Sequence, residues 1–482
     1  MKVILINPAL CNFRDSSAHA MPLGLMYLAA VIEQQGHTAK VLDADNLRLS
    51  WEDMEKKLST ERPDVIGITA TSLSMVALKK TAEVAKKILP KSRIIAGGFG
   101  PTLEPHRTLK ENPVIELVCL GESERTIVDL LKCWQDKLPL DQIKGIIYRD
   151  GDKLIETAKR EPIMDLDTLP FPAYHLLEPP QEKYIGIHTE VEGIKRPILV
   201  MFASRGCPHR CIFCSLGSKV VRFRKPQKVV DEIEKYVKTY RAQAIQLYDD
   251  EFIGMSPQEN IWVSEICDEI IKRKLDHIGY MVQGRCSRFI EPDVLKKMRR
   301  VGFRWIWWGV ESGSQQVLDS IKKDIKVENI KRAFALAKQA DLKSLMFIMT
   351  GFPEETEKNI KETADLISEV KPDTVRIHIA TPLPGSELKR ILESGNMIED
   401  YNVLNYVMRG KAVHHTKYFS SKEIVRNYEM LKFRFEEGHK RFVRIFFKSF
   451  LTVSGLKKLP VRAYKIFTYS MRWLKWKILK FS

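Results

Sequence analysis

The sequence is poor in cysteine and has no long apolar run. Its 482 residues include only eight cysteines, too few for the disulfide framework of a secreted protein. No segment approaches the roughly 18 uncharged apolar residues that a membrane-spanning helix requires. Asn7 and Pro8 interrupt the apolar run at the start of the chain, which predicts a first β-strand and argues against a signal peptide. We therefore expect a cytoplasmic protein.

Acidic residues are missing from one end of the chain. Residues 438–482 contain twelve Lys and Arg but no Asp or Glu, and removing these twelve charges from the formal net charge of +17 leaves +5 for the first 437 residues. The basic character is thus concentrated in this tail. Such a distribution argues against a body that wraps nucleic acid.

Short β-branched runs alternate with amphipathic stretches in two parts of the chain. The first part, residues 2–134, has the continuous apolar strands of a parallel sheet covered on both faces. The second, from Pro197, contains six strand–helix units, which predicts a partial (β/α) barrel. The fold class is therefore α/β. The predicted domains are a doubly wound, Rossmann-like domain (1–140), a hairpin with a Pro-rich linker (141–195), the six-unit barrel (196–390) and a helical C-terminal extension (391–482).

Three of the eight cysteines follow the first predicted barrel strand. Cys207, Cys211 and Cys214 form a C-x3-C-x2-C pattern, and three thiolates from one loop can ligate a [4Fe-4S] cluster while the fourth iron stays open. Zinc is the alternative, but a closed zinc site needs a fourth ligand, and the loop offers only His209. The position of the loop at the carboxyl end of a barrel strand favours the cluster, because barrels hold their active sites there.

This spacing, with the aromatic Phe213 before the last cysteine, resembles the signature of the radical S-adenosylmethionine (SAM) superfamily. The later strand ends also fit that family. The resemblance implies that the amino and carboxylate groups of SAM bind the open iron and that the strand ends hold the rest of the molecule. By this resemblance the candidate SAM contacts are Phe213, Asp250, Glu311, Ser312, Gly351 and Pro382.

Polar and small residues at the strand ends of the first domain resemble the cobalamin-binding domain that precedes the barrel in one large radical SAM subgroup. The resemblance implies that cobalamin binds there. The candidate contacts are Thr71, Ser72, Gly97, Gly98, Thr102, Gly121 and Glu122. The D-x-H-x-x-G motif, whose histidine ligates cobalt in cobalamin-dependent mutases, is missing, and His106 has the wrong spacing, so we expect His106 to be structural.

Two further features belong to the barrel. Trp305, Trp307 and Trp308 lie on one predicted strand, where core packing is the expected role and an indole lining the lumen is the alternative. Arg285, at the end of the third strand, could pair with a carboxylate of SAM or of the substrate.

The resemblance implies an enzyme that reductively cleaves SAM to a 5′-deoxyadenosyl radical, with methylcobalamin passing a methyl group to an unactivated carbon. The alternatives are radical cyclisation or oxidation of the anaerobic magnesium-protoporphyrin ester cyclase type, an RNA-modifying enzyme, and a cofactor-binding module without turnover. The expected partners are a small hydrophobic substrate and an electron donor such as a flavodoxin or ferredoxin.

The tail combines its basic residues with ten aromatic residues. A helix from Val461 would align five apolar side chains in one stripe, and basic and aromatic residues on one amphipathic helix are typical of an anionic membrane surface. We therefore predict peripheral membrane association, with docking on the barrel and RNA binding as the alternatives. The stripe consists of Phe467, Met471, Leu474, Ile478 and Phe481.

Overall fold

The computed structural model describes residues 1–12, 21–184, 194–215 and 218–436. The chain divides into two compact units, Met1–Tyr428 and Glu429–Ser482, and both β-sheets belong to the first. The basic aromatic tail, with its predicted helix from Val461, lies outside the described residues.

The first unit begins with an eight-stranded sheet of order β7-β6-β5-β4-β3-β1-β2-β8. Its strands are β1 (Lys2–Asn7), β2 (Thr38–Asp43), β3 (Val65–Thr69), β4 (Arg93–Gly97), β5 (Leu117–Cys119), β6 (Ile146–Asp150), β7 (Lys153–Glu156) and β8 (Leu177–Glu178). The helices that alternate with them are α1 (Leu23–Gln34), α2 (Trp51–Glu61), α3 (Met75–Ile88), α4 (Phe99–Leu103), α5 (Pro105–Glu111) and α6 (Glu124–Asp136).

The five central strands of this sheet are parallel and run in the order β5-β4-β3-β1-β2. Their side chains are apolar on both faces because helices cover both, and Ile4, Ile66 and Ile94 are almost completely buried. The strand order reverses between β3 and β1, and ligands of doubly wound sheets bind outside the carboxyl ends of the strands at that point. The predicted doubly wound domain is therefore confirmed.

The segment predicted as hairpin and linker contributes to the same sheet. Strands β6 and β7 form the predicted hairpin, and β6 pairs antiparallel with β5. Strand β8 lies within the Pro-rich segment and pairs with β2 at the opposite edge. The linker thus packs onto the first domain, and the domain boundaries at 140 and 195 stay predictions.

A second sheet has six parallel strands in the order β16-β15-β14-β13-β12-β9. The strands from here on are β9 (Ile198–Met201), β10 (Ser204–Arg205), β11 (Arg222–Phe223), β12 (Ala244–Leu247), β13 (Gly279–Gly284), β14 (Phe303–Glu311), β15 (Lys343–Thr350) and β16 (Thr374–Ile379). The helices are α7 (Pro226–Tyr240), α8 (Pro257–Lys272), α9 (Pro292–Arg300), α10 (Gln315–Ser320), α11 (Val327–Gln339), α12 (Glu357–Val370), α13 (Glu387–Ser394) and α14 (Ser421–Leu431).

Parallel strands that pair in chain order, each followed by a helix, form the six-unit partial barrel that the sequence predicted. An apolar cluster joins Ile198 of β9 to Leu345 of β15. These strands are not neighbours in the sheet, so the cluster extends across the interior. The indoles of Trp305 and Trp307 belong to this interior cluster, whereas Trp308 packs against Phe334 of α11 on the outer face. Two indoles therefore face inward.

Within the described residues, no helix is both long enough and apolar enough to cross a bilayer.

Candidate active site

The three-cysteine loop leaves the barrel between two short strands. Strands β10 and β11 pair antiparallel, so that Arg205 lies opposite Arg222. Gly206, the first residue of the loop, has a φ of +94°, and a Cβ there would lie 2.2 Å from the Val220 carbonyl oxygen. Its N–H donates to Asp250 Oδ2 over 3.0 Å. Asp250, a predicted SAM contact, thus fixes the start of the cysteine loop.

The remainder of the loop is held by backbone hydrogen bonds. Ile212 N–H donates to the Ile321 carbonyl over 3.1 Å, and Leu388 N–H donates to the Ile212 carbonyl over 2.8 Å. The thiols of Cys207 and Cys211 are half-buried and that of Cys214 is exposed. The loop therefore presents three thiols within eight residues, which fits the predicted cluster ligands.

Two further side chains lie beside the first cysteine. His209 Nε2 is 3.3 Å from Glu251 Oε2, and one ligand atom each from Cys207, His209 and Glu251 lie within 4.8 Å of one another. Burial raises the pKa of the Cys207 thiol to about 11, so a cation there would be needed to hold the thiolate at neutral pH. A single zinc ion at this group would use one of the three cysteines, whereas a [4Fe-4S] cluster would use all three and leave His209 and Glu251 as neighbours of one thiolate.

A buried lysine that the sequence did not single out lies on the other side of the loop. Lys323 Nζ is 2.8 Å from Glu311 Oε1, with both side chains 9% exposed, and it lies 5.8 Å from the ring centroid of Phe213. Phe213 in turn packs against Phe352, with ring centroids 5.9 Å apart. Glu311 has a φ of +68°, in the left-handed region that favours glycine.

Arg285 brings a second buried cation to the same end of the barrel. The residue is 5% exposed, it hydrogen-bonds the Cys211 side chain, and its Nη2 has no hydrogen-bond partner among the described residues. A buried guanidinium with an unused donor is suited to a carboxylate ligand. Arg285 and Lys323 therefore bring two buried cations to strand ends that also carry the carboxylates of Asp250, Glu251 and Glu311.

The other predicted SAM contacts occupy the wall around this site. Ser312 is fully buried, and its hydroxyl accepts from Ser314 N–H over 3.1 Å, so the side chain serves the packing of the wall. Gly351, with a φ of +92°, lies so close to Ile424 that a Cβ would be 2.8 Å from it. Its carbonyl accepts from the buried His414 over 2.9 Å. Pro382 is buried in the loop after β16.

The structure also brings together the predicted cobalamin contacts. Thr71 and Ser72 follow β3, Gly97 ends β4 and Gly98 follows it, and Gly121 lies just beyond β5, so all lie along the carboxyl edge of the sheet. Further along this edge, Gly121 N–H donates to Thr102 Oγ1 over 3.2 Å. His106 is elsewhere, beside Glu156 on the exposed surface, as expected for a structural residue.

The two glycines at this edge differ in the space around them. A Cβ on Gly98 would lie 2.4 Å from Thr69 Oγ1 and 2.9 Å from the Ala70 carbonyl oxygen, whereas a Cβ on Gly121 would have no heavy atom within 4 Å. Gly98 therefore allows the close approach of two turns, and Gly121 faces open space. Thr71 and Gly121 are exposed at this edge, so a ligand can reach the backbone there.

Glu122, a predicted cobalamin contact, binds side chains and backbone from other parts of the chain. Its carboxylate accepts two hydrogen bonds from Arg222, at 2.8 and 2.7 Å, and one from Ile163 N–H at 2.9 Å. Beside it, Arg205 pairs with Glu124 over 2.7 Å. We call these four residues, Glu122, Glu124, Arg205 and Arg222, the interdomain clamp, because they join the end of β5 to the hairpin that flanks the cysteine loop.

Comparisons with known proteins identify both domains. The radical SAM superfamily domain matches residues 201–367, and a B12 binding domain matches residues 14–131. The uncharacterized methyltransferase PH0819 of Pyrococcus horikoshii is 30% identical over 429 residues, which is 88% of this chain and 90% of that protein. The anaerobic magnesium-protoporphyrin IX monomethyl ester cyclase of Cereibacter sphaeroides is 29% identical over 428 residues, 86% of this chain and 68% of that protein.

A solved structure shows the same architecture. The radical SAM methyltransferase TsrM from Kitasatospora setae, with cobalamin and a [4Fe-4S] cluster bound, has a TM-score of 0.66 at 16% sequence identity, over 83% of this chain and 76% of that chain. The radical SAM domain implies a [4Fe-4S] cluster and SAM, and the B12 binding domain implies cobalamin. The chain is therefore an enzyme of the radical SAM superfamily, in the group that carries a B12-binding domain in front of the barrel.

Proposed function

We propose that the protein is a cobalamin-dependent methyltransferase that acts on an unactivated carbon of a small substrate. One observation carries this proposal: the interdomain clamp brings the carboxyl edge of the first sheet to the cysteine loop of the barrel. Gly385, beyond β16, also contacts the first domain, since a Cβ there would lie 2.5 Å from Leu103 Cδ2. A methyl donor at the carboxyl edge of the first sheet and a radical formed beside the cysteine loop would then reach the same bound substrate.

The residues of the barrel divide the work of binding the cluster and SAM. When bound, these groups supply the electron and the 5′-deoxyadenosyl radical that removes a substrate hydrogen atom, and cobalamin supplies the methyl group. Cys207, Cys211 and Cys214 hold the cluster in this proposal. Arg285 and Lys323 provide positive charge for the SAM carboxylate, and Glu311 holds Lys323 in place over its 2.8 Å contact.

Iron binding and SAM cleavage test this function directly. Anaerobically reconstituted protein should bind about four iron and four sulfide per chain and form 5′-deoxyadenosine when reduced. Cys211→Ala removes one ligand and should lower both quantities. Cys267→Ala, which changes a buried cysteine of α8, is the matched control and should lower neither. Full iron content and undiminished cleavage in Cys211→Ala would exclude the site.

Radical cyclisation is the second candidate, and the similarity to the Cereibacter sphaeroides cyclase over 86% of this chain favours it. The two reactions differ in what they consume. A methyltransferase that reloads its cobalamin from SAM forms S-adenosylhomocysteine together with 5′-deoxyadenosine, whereas a cyclase forms 5′-deoxyadenosine alone. Product analysis in the presence of cobalamin and reductant separates the two, and 5′-deoxyadenosine without S-adenosylhomocysteine would select the cyclase.

We further propose that the substrate is hydrophobic and that the protein works in the cytoplasm at an anionic membrane face, with a flavodoxin or ferredoxin as electron donor. The composition of the tail supports the membrane contact, because each Lys or Arg near anionic headgroups adds about 1 kcal/mol of binding free energy. The protein should co-sediment with phosphatidylglycerol vesicles but not with phosphatidylcholine vesicles, and Lys475→Glu, Lys477→Glu and Lys480→Glu together should abolish this. Equal recovery in the supernatant with both vesicles at low salt would exclude it.

A further inference from the structure

Three side chains of different chemistry meet beside the start of the cysteine loop. Cys207 and His209 come from the loop itself, and Glu251 comes from the segment that follows β12. One oxygen of Glu251, Oε2, lies 3.9 Å from Cys207 Sγ and 3.3 Å from His209 Nε2. One ligand atom from each residue lies within 4.8 Å of the other two. We call Cys207, His209 and Glu251 the mixed-ligand group.

The spacing of these atoms is close to the coordination shell of a single divalent ion. Zinc binds sulfur at about 2.3 Å and nitrogen or oxygen at about 2.0–2.1 Å, in a tetrahedral arrangement. These bond lengths place a ligating nitrogen and oxygen about 3.3 Å apart, and a sulfur and oxygen about 3.5 Å apart. The observed distances to Glu251 are 3.3 Å from His209 and 3.9 Å from Cys207. Along both distances, the group is within a few tenths of an ångström of the geometry that an ion requires.

Buried polar atoms of the group that make no hydrogen bond also point to a ligand. Glu251 is 4% exposed, and its second oxygen, Oε1, is buried without a hydrogen-bond partner among the described residues. His209 Nε2 is likewise buried and makes no hydrogen bond in the described part of the chain, although it lies close to Glu251 Oε2. Leaving such groups unsatisfied costs free energy, and a cation bound between the two side chains removes that cost. The alternative, an ion pair of protonated His209 with Glu251, would not involve Cys207.

We propose that the mixed-ligand group binds a single divalent ion of the zinc class when the cluster is not assembled. Three protein ligands leave the fourth tetrahedral position for water, as in other open zinc sites. A site of nitrogen, oxygen and sulfur ligands generally binds zinc more tightly than iron(II). Cys207 belongs to this group and also to the proposed cluster ligands, so the two metal states exclude each other. Zinc at the group therefore delays cluster assembly, and only this consequence rests on the proposed function.

Cobalt(II) tests this site in the metal-free, full-length protein, because it replaces zinc in tetrahedral sites and its bond to a thiolate gives a charge-transfer absorption band. Anaerobic titration of the reduced apoprotein should show a single ion per chain and a band that added zinc abolishes. Cys207→Ala should remove the band. His209→Ala and Glu251→Gln should each weaken cobalt binding by about tenfold or more, since even indirect partners of a metal ligand contribute about 10–100-fold to affinity.

Variants of the other cysteines distinguish this site from a three-thiolate site. Cys214→Ala keeps the whole mixed-ligand group and should retain both the cobalt band and the cobalt affinity. Cys267→Ala, at a buried cysteine of α8, is the control for thiols outside the loop and should also retain them. A band that persists in Cys207→Ala, or that Cys214→Ala weakens as much as Cys207→Ala does, would overturn the inference. If Glu251→Gln melts early, His209→Ala decides, and an unchanged cobalt affinity has the same meaning.

Iron incorporation tests the competition between the two metal states. One equivalent of zinc, added before iron and sulfide, should slow cluster assembly in the wild-type protein. His209→Ala keeps all three cysteines of the loop, so its cluster assembly should be slowed much less by zinc. Equal slowing in both proteins would overturn the competition. Cobalt binding is measured without iron, so a protein that binds cobalt as expected but assembles no cluster would contradict the proposed function and not the mixed-ligand group.

Discussion

Replacing Glu122 with Gln distinguishes a cobalamin contact from a structural clamp. The substitution removes one negative charge but keeps the size of the side chain. In the structure, both carboxylate oxygens of Glu122 bind Arg222, whose side chain is only 2% exposed, while that of Glu122 is 23% exposed. We expect the variant to lose stability and to hold its iron less tightly, because Arg222 belongs to the strand that returns from the cysteine loop.

The size of the effect follows from the burial of the pair. Removing one partner of a fully buried ion pair costs about 3–5 kcal/mol because the other charge stays buried. Glu122 is partly exposed, and the amide oxygen of Gln can still accept one hydrogen bond, so we expect about 2–3 kcal/mol. Burial by itself raises the pKa of Glu122, but hydrogen bonds from Arg222 and Ile163 and the charge of Arg205 outweigh it and hold the pKa below its usual value. The clamp therefore stabilises the fold above the unfolded-state pKa of about 4.3, and its contribution is lost as the pH falls through the lower, folded-state pKa.

A double-mutant cycle measures the pairing itself. Glu122→Gln, Arg222→Met and the double variant would be unfolded with urea as apoproteins at pH 7.5, and iron release to a chelator would be followed for the reconstituted forms. The two single variants should behave alike, with a coupling energy of about 2 kcal/mol. Glu111→Gln, which breaks an exposed pair with Arg107, should change stability by less than about 0.5 kcal/mol. Additive effects, or weaker cobalamin binding in Glu122→Gln with no change in Arg222→Met, would refute the clamp and restore Glu122 as a cofactor contact.

Three further predictions concern single residues. Lys323→Met should weaken SAM binding at least tenfold, as expected when a buried charged contact is lost, whereas Lys322→Met, at a half-exposed lysine, should not. Equal affinities of the two variants for SAM, measured by equilibrium dialysis, would contradict this prediction. Gly121→Asn should weaken cobalamin binding without loss of fold, since Asn tolerates a positive φ and the space around Gly121 is open. Gly98→Asn should instead lower the melting temperature, because the new side chain would clash with the Ala70 carbonyl. A lower melting temperature for Gly121→Asn than for Gly98→Asn would be inconsistent with the structure. Burial raises the pKa of Asp249 to about 7, so the protonated carboxyl stabilises the folded state at low pH, and this contribution is lost as the pH rises from about 4 through 7. The stability of Asp249→Asn relative to wild type should therefore improve between pH 5.5 and pH 8. A difference in stability between the two proteins that stays constant with pH would disprove the raised pKa.

The fold could be predicted from the sequence because its signals are local and repeated. Continuous apolar strands alternating with amphipathic helices predict parallel sheets wherever they occur, and both sheets formed where the alternation lay. The cysteine spacing was also a local signal, since three ligands within eight residues must share one loop. The strand-end positions of Thr71, Gly97 and Gly121 followed from the same rule, that the carboxyl ends of parallel strands meet at one edge.

The pairing of side chains across the fold carried no such signal. Lys322 and Lys323 look alike in sequence, yet one is half-exposed and the other is buried against Glu311, because only the packing of the loop against the barrel distinguishes them. Likewise, nothing local in the sequence indicates that both oxygens of Glu122 accept hydrogen bonds from Arg222, one hundred residues further along the chain. Long-range contacts of this kind depend on how the two domains meet.

The sequence by itself thus determined the two sheets, the cysteine loop and the strand edge at which each cofactor site is predicted, because periodicity and spacing act within a few tens of residues. Only the tertiary structure decided which charges are buried, which glycine faces open space and which side chains lie beside Cys207. Those outcomes depend on desolvation and on contacts between distant segments, and the free energy of a buried charge is set by the partner that the fold places beside it.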